Sequence, residues 1–344
     1  MKVFGFDPAD HSAEYERKGW VHIREGVTPE FHEYMLRYVE DELRAHMLEG
    51  HAIKGKKEQS LFEFPESVDY PGELFDVVAE VCGLNGATMT LSERHIQAYE
   101  GNAAPEPVAH KDRFPSQVSV GLSVTIPEDS RLVLYPDEYR EVNPYNKAAV
   151  FNRSLQPEER PETVLRNARE VELADRDRDV VMFPGSTTWH LRRRSARAVN
   201  LYFKFNDFGC DPLGEDPNTE AIRSSTLAAL GGSGDQVDAL VPVLGRRMDV
   251  VSRVLTRNDW EERLEAQVYG EEPFGLTPLQ FEALRSVDGR SSVRELLEAV
   301  VDGTDPERAR SQLLRLAERG ALELVAAGDA TVALGSGSAA SGAG

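Results

Sequence analysis

The chain has 344 residues, of which 40% are hydrophobic and 28% charged, and a formal net charge of −20. That is the composition of an ordinary soluble globular protein and excludes a disordered chain; the length suits one catalytic domain plus a smaller appendage. The acidity argues against general binding to nucleic acid or to anionic membrane surfaces, both of which need Lys and Arg. No uncharged stretch reaches membrane-spanning length and the N-terminal MKVFGFDPADHS lacks an apolar signal region, so a cytoplasmic protein is expected. Cys82 and Cys210 form no C-x-x-C motif and are read as free thiols of a reducing compartment.

In chain order, a short helix runs into Gly19 and a strand covers Trp20 to Ile23. A helix then starts at Pro29 with Thr28 as its cap, and Phe31, Met35, Leu36 and Val39 share its packing face. A further helix is expected over Gly72 to Val81. From Thr88 the period changes. MTLSERHIQAYEG, QVSVGLSVTI, SRLVLYP, REVEL, DVVMFP and AVNLYFKF are six β-branched and aromatic runs with no helices between them, as in an antiparallel sandwich or barrel. A polar stretch of about residues 136–163 carries Pro136, Pro144, Pro157 and Pro161 and is read as a lid, with Tyr135, Tyr139 and Tyr145 assigned to it.

Residues 1–213 are therefore assigned to a catalytic domain and 214–270 to a helical linker. Residues 271–334, with three helices and two short strands (ALELV and ATVAL), resemble a winged helix; 335–344 form a low-complexity tail.

The chemistry centres on His110-Lys111-Asp112, just before the strand QVSVGLSVTI. With 8 His and 59 acidic residues in the chain, one His-x-acid match is a chance event, so the pair gains weight only from partners further along the chain. A later strand and Pro184-Gly185 turn lead to His190. Two His and one carboxylate at strand ends make a facial triad with open positions, which suits non-haem Fe(II); zinc more often takes three His or Cys ligands. In the last strand Arg197 is in phase with Val199, Leu201 and Phe203, which predicts a buried Arg that needs an anionic partner. The run Arg192-Arg193-Arg194 reads as a solvated loop or as an attractor of anionic substrate. His11, His22, His32, His46, His51 and His95 have no ligand spacing; Trp189 reads as packing or as a wall of the site.

Three segments, EYERKGWVHIREGVTPEFHEYM, AHKDR and RDVVMFPGSTTWH with SARAVNLYFKF, together resemble the phytanoyl-CoA dioxygenase-like family of Fe(II)/2-oxoglutarate-dependent oxygenases over roughly residues 14–206. The resemblance implies a mainly β catalytic domain, a double-stranded β-helix (jelly-roll, cupin-like) with flanking helices. It also implies Fe(II), 2-oxoglutarate and O2 as cofactors, with hydroxylation or another oxidation of an unactivated C–H bond. It makes His110, Asp112 and His190 the metal ligands and catalytic centre, Arg197 the anchor of the distal 2-oxoglutarate carboxylate, and Gln97 a second contact to that cosubstrate. The family's Arg lies about ten residues beyond the distal His and here the gap is seven, so Arg193, Arg194 and Lys204 are rival anchors. An aspartate at 112 argues against a halogenase.

The implied substrate is a small molecule such as an amino acid or natural-product intermediate. Two other readings compete: a ribosomal-type protein hydroxylase with a C-terminal winged helix, and a cupin-like regulator that binds DNA. The second is disfavoured by residues 271–328, with 11 acidic residues against 7 Arg and no Lys. A homodimer through the C-terminal domain is the expected assembly.

Overall fold

The computed structural model describes residues 1–41, 57–138, 141–255, 261–300 and 305–326. The chain divides into two compact units, Met1–Gly86 with Glu93–Asn206, and Ala87–Ser92 with Asp207–Gly344. His46, His51, Tyr139 and the expected strand ATVAL lie outside the described residues, as does the tail.

The first unit opens with α1 (Ala9–Lys18), which ends at Gly19 in the left-handed conformation (φ 76°), then β1 (Val21–Ile23) and α2 (Pro29–Asp41). The Thr28 hydroxyl accepts from the Phe31 amide, a cap one turn in. The buried stripe of α2 is Phe31, Met35 and Tyr38; Leu36, expected on it, is 40% exposed. β2 (Lys57–Leu61) and α3 (Tyr70–Cys82) follow, then β3 (Thr90–Tyr99), β4 (Val118–Thr125) and β5 (Arg131–Tyr135). The expected lid holds two short helices, α4 (Ala148–Ser154) and α5 (Pro161–Val164), so it is folded over part of its length. β6 (Val171–Leu173), β7 (Val180–Phe183), β8 (Trp189–Arg193) and β9 (Val199–Asn206) complete the unit.

These strands form one six-stranded sheet, β1-β7-β4-β9-β3-β2, and one three-stranded sheet, β6-β5-β8. From β4 onward the chain alternates between the sheets: β4 in the large one, β5 and β6 in the small one, β7 back in the large, β8 in the small, β9 in the large. That winding is a double-stranded β-helix, and the paired strands are antiparallel where their register is given. Both faces of the large sheet are covered. On β9, Leu201, Phe203 and Phe205 point toward the helical side, where Phe203 meets Phe62 and Phe64 and Phe205 meets Phe75. The alternate residues Tyr202 and Lys204 point into the barrel and line its cavity.

The second unit begins with α6 (Pro217–Leu230) and α7 (Gly234–Asp238), but the expected helical linker ends there. Three strands follow instead, β10 (Val241–Leu244), β11 (Met248–Leu255) and β12 (Glu262–Val268). The short Val- and Leu-bearing runs in this stretch fit either helix or strand, and sheet pairing decides them. β13 (Phe274–Gly275) adds to β11 and β12; α8 (Pro278–Ser286), α9 (Val293–Val300) and α10 (Pro306–Glu318) pack behind. β14 (Leu322–Val325), expected to pair with ATVAL, pairs with β10.

Phe62 is fully buried amid Phe31, Tyr34, Tyr38, Phe64 and Phe203 and ties α2 to the large sheet. Phe62→Ala is expected to destabilise the protein by about 3–5 kcal/mol, read as a lowered midpoint in chemical denaturation; a change near zero would show that the cluster does not hold the helices down.

Candidate active site

The two expected histidine ligands meet through their backbones. His110 N–H donates to the His190 carbonyl and His190 N–H to the His110 carbonyl, both at 2.9 Å, in an isolated antiparallel bridge. That pairing sets the imidazole centroids 4.4 Å apart. Asp112 is held by its own backbone N–H to the Gly185 carbonyl at 2.9 Å. One ligand atom from each of His110, Asp112 and His190 falls within 4.8 Å of the others, the spread that one small cation can bridge.

Neighbouring groups orient each ligand. The His190 Nδ1–H donates to the Thr188 carbonyl at 2.9 Å, which leaves Nε2 as the lone-pair nitrogen facing the centre; Phe183 packs edge-on against the same ring at 4.8 Å. Asp112 Oδ2 accepts from the Ser119 hydroxyl at 2.6 Å and from the Lys204 ammonium, while Oδ1 lies 3.7 Å from His190 Nε2. Burial pushes the Asp112 carboxyl up. Lys204, His190 and His110 together outweigh that and hold it well below the usual carboxylate range, so a charged ligand oxygen is available. A donor set of two neutral imidazole nitrogens and one carboxylate oxygen fits Fe(II), and the residues present could hold it without rearranging the backbone.

Gly185 is there for space. A Cβ on it would collide with Ser119 Oγ and lie 2.5 Å from Asp112 Oδ2. The lid segment is tied to the same loop: the Asn143 side chain donates to the Asp112 carbonyl at 2.9 Å, its backbone N–H to the Ser186 carbonyl at 2.8 Å, and Lys111 Nζ to the Glu141 carbonyl at 2.6 Å. Lys111 is fully buried over the Trp189 ring, and burial pulls its ammonium down to about 8. Trp189 therefore packs beneath the lid, on the opposite side of β8 from His190.

The triad opens on a cavity of about 410 Å³ that also takes in Gln97, Tyr99, Arg192, Tyr202 and Lys204. Of the two residues that the resemblance assigns to the cosubstrate, Gln97 lines this cavity. Arg197 is not: it is exposed on the β8–β9 connection, with φ 68°, and does not line this cavity. Its phase with β9 is lost because Arg194 and Arg197 both take left-handed backbone conformations in a tight turn, and because the apolar face of β9 looks outward to the helices. The three arginines read as one loop have three environments. Arg192 is buried and forks onto Asp175 at 3.0 and 2.7 Å; Arg193 meets Glu106, Glu170 and Glu172; Arg194 is exposed.

Sequence reasoning missed Ser119, Asn143, Asp175 and Arg192. Arg192 had a usable signal, because it stands two residues after His190 on one strand and so shares its face.

No family model matches the chain, and no curated protein matches it. Among solved structures it is similar to the non-haem α-ketoglutarate-dependent carbocyclase SnoK from nogalamycin biosynthesis, at 15% identity over 61% of this chain and 88% of that one, TM-score 0.45. It is similar also to a Pseudomonas putida prolyl-4-hydroxylase (10% identity, 59% and 100% covered, TM-score 0.40). A third is HygX from Streptomyces hygroscopicus, solved with nickel and 2-oxoglutarate (12%, 59% and 88%, TM-score 0.38). At such identities and TM-scores, function must be read from the site's own residues.

Two results are expected here. Gly185→Ala should weaken metal binding by at least about tenfold in a metal titration, because it displaces the Asp112 carboxylate; unchanged affinity would remove Asp112 from the ligand set. Burial pushes the Asp175 carboxyl up, but the Arg192 fork outweighs it and holds it below the usual range. With the folded value depressed, the stabilisation is present above the unfolded value near 4 and lost as pH falls through the folded one. Asp175→Asn should then cost about 3–5 kcal/mol at pH 7, with the gap to wild type narrowing below pH about 4 in denaturation curves; a gap independent of pH would contradict the ion pair.

Proposed function

We propose that the protein is an Fe(II)- and 2-oxoglutarate-dependent oxygenase that oxidises a C–H bond of a small hydrophilic molecule. The observation that carries this reading is the facial set His110, Asp112 and His190 at the mouth of a double-stranded β-helix, opening on a cavity rather than on a closed core. When bound there, the metal with 2-oxoglutarate and O2 supplies the oxidising chemistry. The chain's own residues do the rest: His110, His190 and Asp112 would hold the metal, Ser119 and Lys204 fix the Asp112 carboxylate, and the bonds from Lys111 and Asn143 tie segment 141–143 to the loop that carries Asp112.

The anchor of the cosubstrate's distal carboxylate is reassigned from Arg197 to Arg192. Arg192 lines the cavity on the same strand face as His190. Its Nε is a buried N–H with no hydrogen-bond partner among the described residues, even though both terminal nitrogens are used by Asp175. Tyr99 and Tyr202 lie close enough to act on the Arg192 charge, and Gln97 lines the same cavity. An unmatched buried N–H beside two phenols is a carboxylate-binding corner. A small-molecule substrate is favoured over a protein one by the lid bonds over the loop that carries the ligands.

Succinate formation from 2-oxoglutarate under Fe(II) and air is the test. Arg192→Met should raise the half-saturating 2-oxoglutarate concentration about ten- to a hundredfold, while Arg197→Ala leaves it within about twofold. The reverse ranking would restore Arg197, and no succinate from the wild-type protein, with or without a substrate panel, would overturn the oxygenase reading.

A further inference from the structure

The cavity lining is rich in polar and charged side chains. Among the described residues its only aliphatic members are Val108, which is 64% exposed, and Leu132. β3 sends Glu93, Gln97 and Tyr99 into the cavity at every second or fourth position, so every side chain this strand offers there carries a polar group. A ligand that left these polar and charged groups without partners would pay for their lost water, so one that matches them binds better.

Three ion pairs each place at least one member in this lining. Asp112 meets Lys204, Asp175 meets Arg192, and Glu93 meets Arg113 with Nε 3.2 Å from Oε1. The first pair belongs to the metal ligand and the second to the carboxylate corner. The third has no such duty. Glu93 is 7% exposed, its second oxygen is 3.5 Å from His95 Nδ1, and Arg113 comes directly after Asp112, so the pair sits beside the metal ligands. A buried ion pair is weak as a source of stability and commonly costs more in desolvation than it returns. Placed in a cavity wall, it shows an anion and a cation side by side to the occupant.

We propose, on the oxygenase reading above, that Glu93 and Arg113 recognise a zwitterionic substrate of amino-acid size, Glu93 taking its ammonium and Arg113 its carboxylate. A molecule that carries both charges extends the alternation of the wall and leaves no buried charge uncompensated. A cavity of about 410 Å³ is near the small end of ligand sites, which run from about 300 to 1,000 Å³, and suits two small polar molecules at once.

The experiment is calorimetric titration of the full-length protein, loaded with Ni²⁺ and 2-oxoglutarate, with the free proteinogenic amino acids and their N-acetyl and amide derivatives. At least one free amino acid should bind. Blocking either end should weaken it about tenfold or more, as should Glu93→Gln for the ammonium and Arg113→Gln for the carboxylate. Retained 2-oxoglutarate binding in each variant shows that its site is folded. If 2-oxoglutarate binds and no free amino acid does, or if the blocked derivatives bind as well as the free ones, the zwitterion proposal is wrong and the oxygenase reading stands; the second result would point to a residue within a peptide. If neither 2-oxoglutarate nor any amino acid binds the metal-loaded protein, both fall.

Discussion

The site depends on one two-bond contact, the reciprocal backbone pairing of His110 and His190. It joins the loop before β4 to β8 and fixes two side chains that are 80 positions apart to one centre. Backbone bonds of this kind cannot be adjusted by a rotamer change, so the imidazole spacing is inherited from the sheet. Asp112 is bonded to the Gly185 carbonyl in the same manner, and the absence of a side chain at Gly185 makes room for its carboxylate. Ligand placement is thus a property of the backbone, and the side-chain contacts from Thr188, Ser119 and Lys204 choose which atoms face inward.

Beside that centre Leu132, Leu134, Leu173, Val181 and Phe183 pack as an apolar cluster, and Phe183 meets the His190 ring. The polar part of the interior is tolerated because charges such as Asp175 and Arg192 are paired, and the apolar side chains of β9 are turned outward to the helical side, where Phe62 and its neighbours form a second core. Lys111 and Asn143 secure the segment 141–155 to the loop that carries Asp112, and Phe151 packs it onto Trp189.

Much of this was legible in the sequence where period and cap chemistry agree. The Thr28-Pro29 start of α2, the six strand runs from Thr88 and the alternation that puts His110 and Asp112 at a strand mouth all come from local pattern. The placement of Arg197 was not legible from β9 alone. Apolar alternation identifies a buried face but cannot tell the inside of a barrel from the layer beneath its helices, and on β9 those faces are Tyr202 and Lys204 against Leu201, Phe203 and Phe205. Two left-handed residues in the β8–β9 turn then removed Arg197 from the phase assumed for it. In the second unit, β10 to β12 read as helix because each run is short, and only pairing across distance, such as β10 with β14, distinguishes them.

The central claim is that three side chains and one cosubstrate share a single metal. Its most direct test is anaerobic addition of Fe(II) and then 2-oxoglutarate to metal-free protein, with the visible absorption recorded at each step. A weak charge-transfer band that appears only with both components, at one metal per chain, and is absent in His110→Ala is the predicted result. Bound metal with no band on adding 2-oxoglutarate would contradict it and leave His110, Asp112 and His190 as a metal site of another kind.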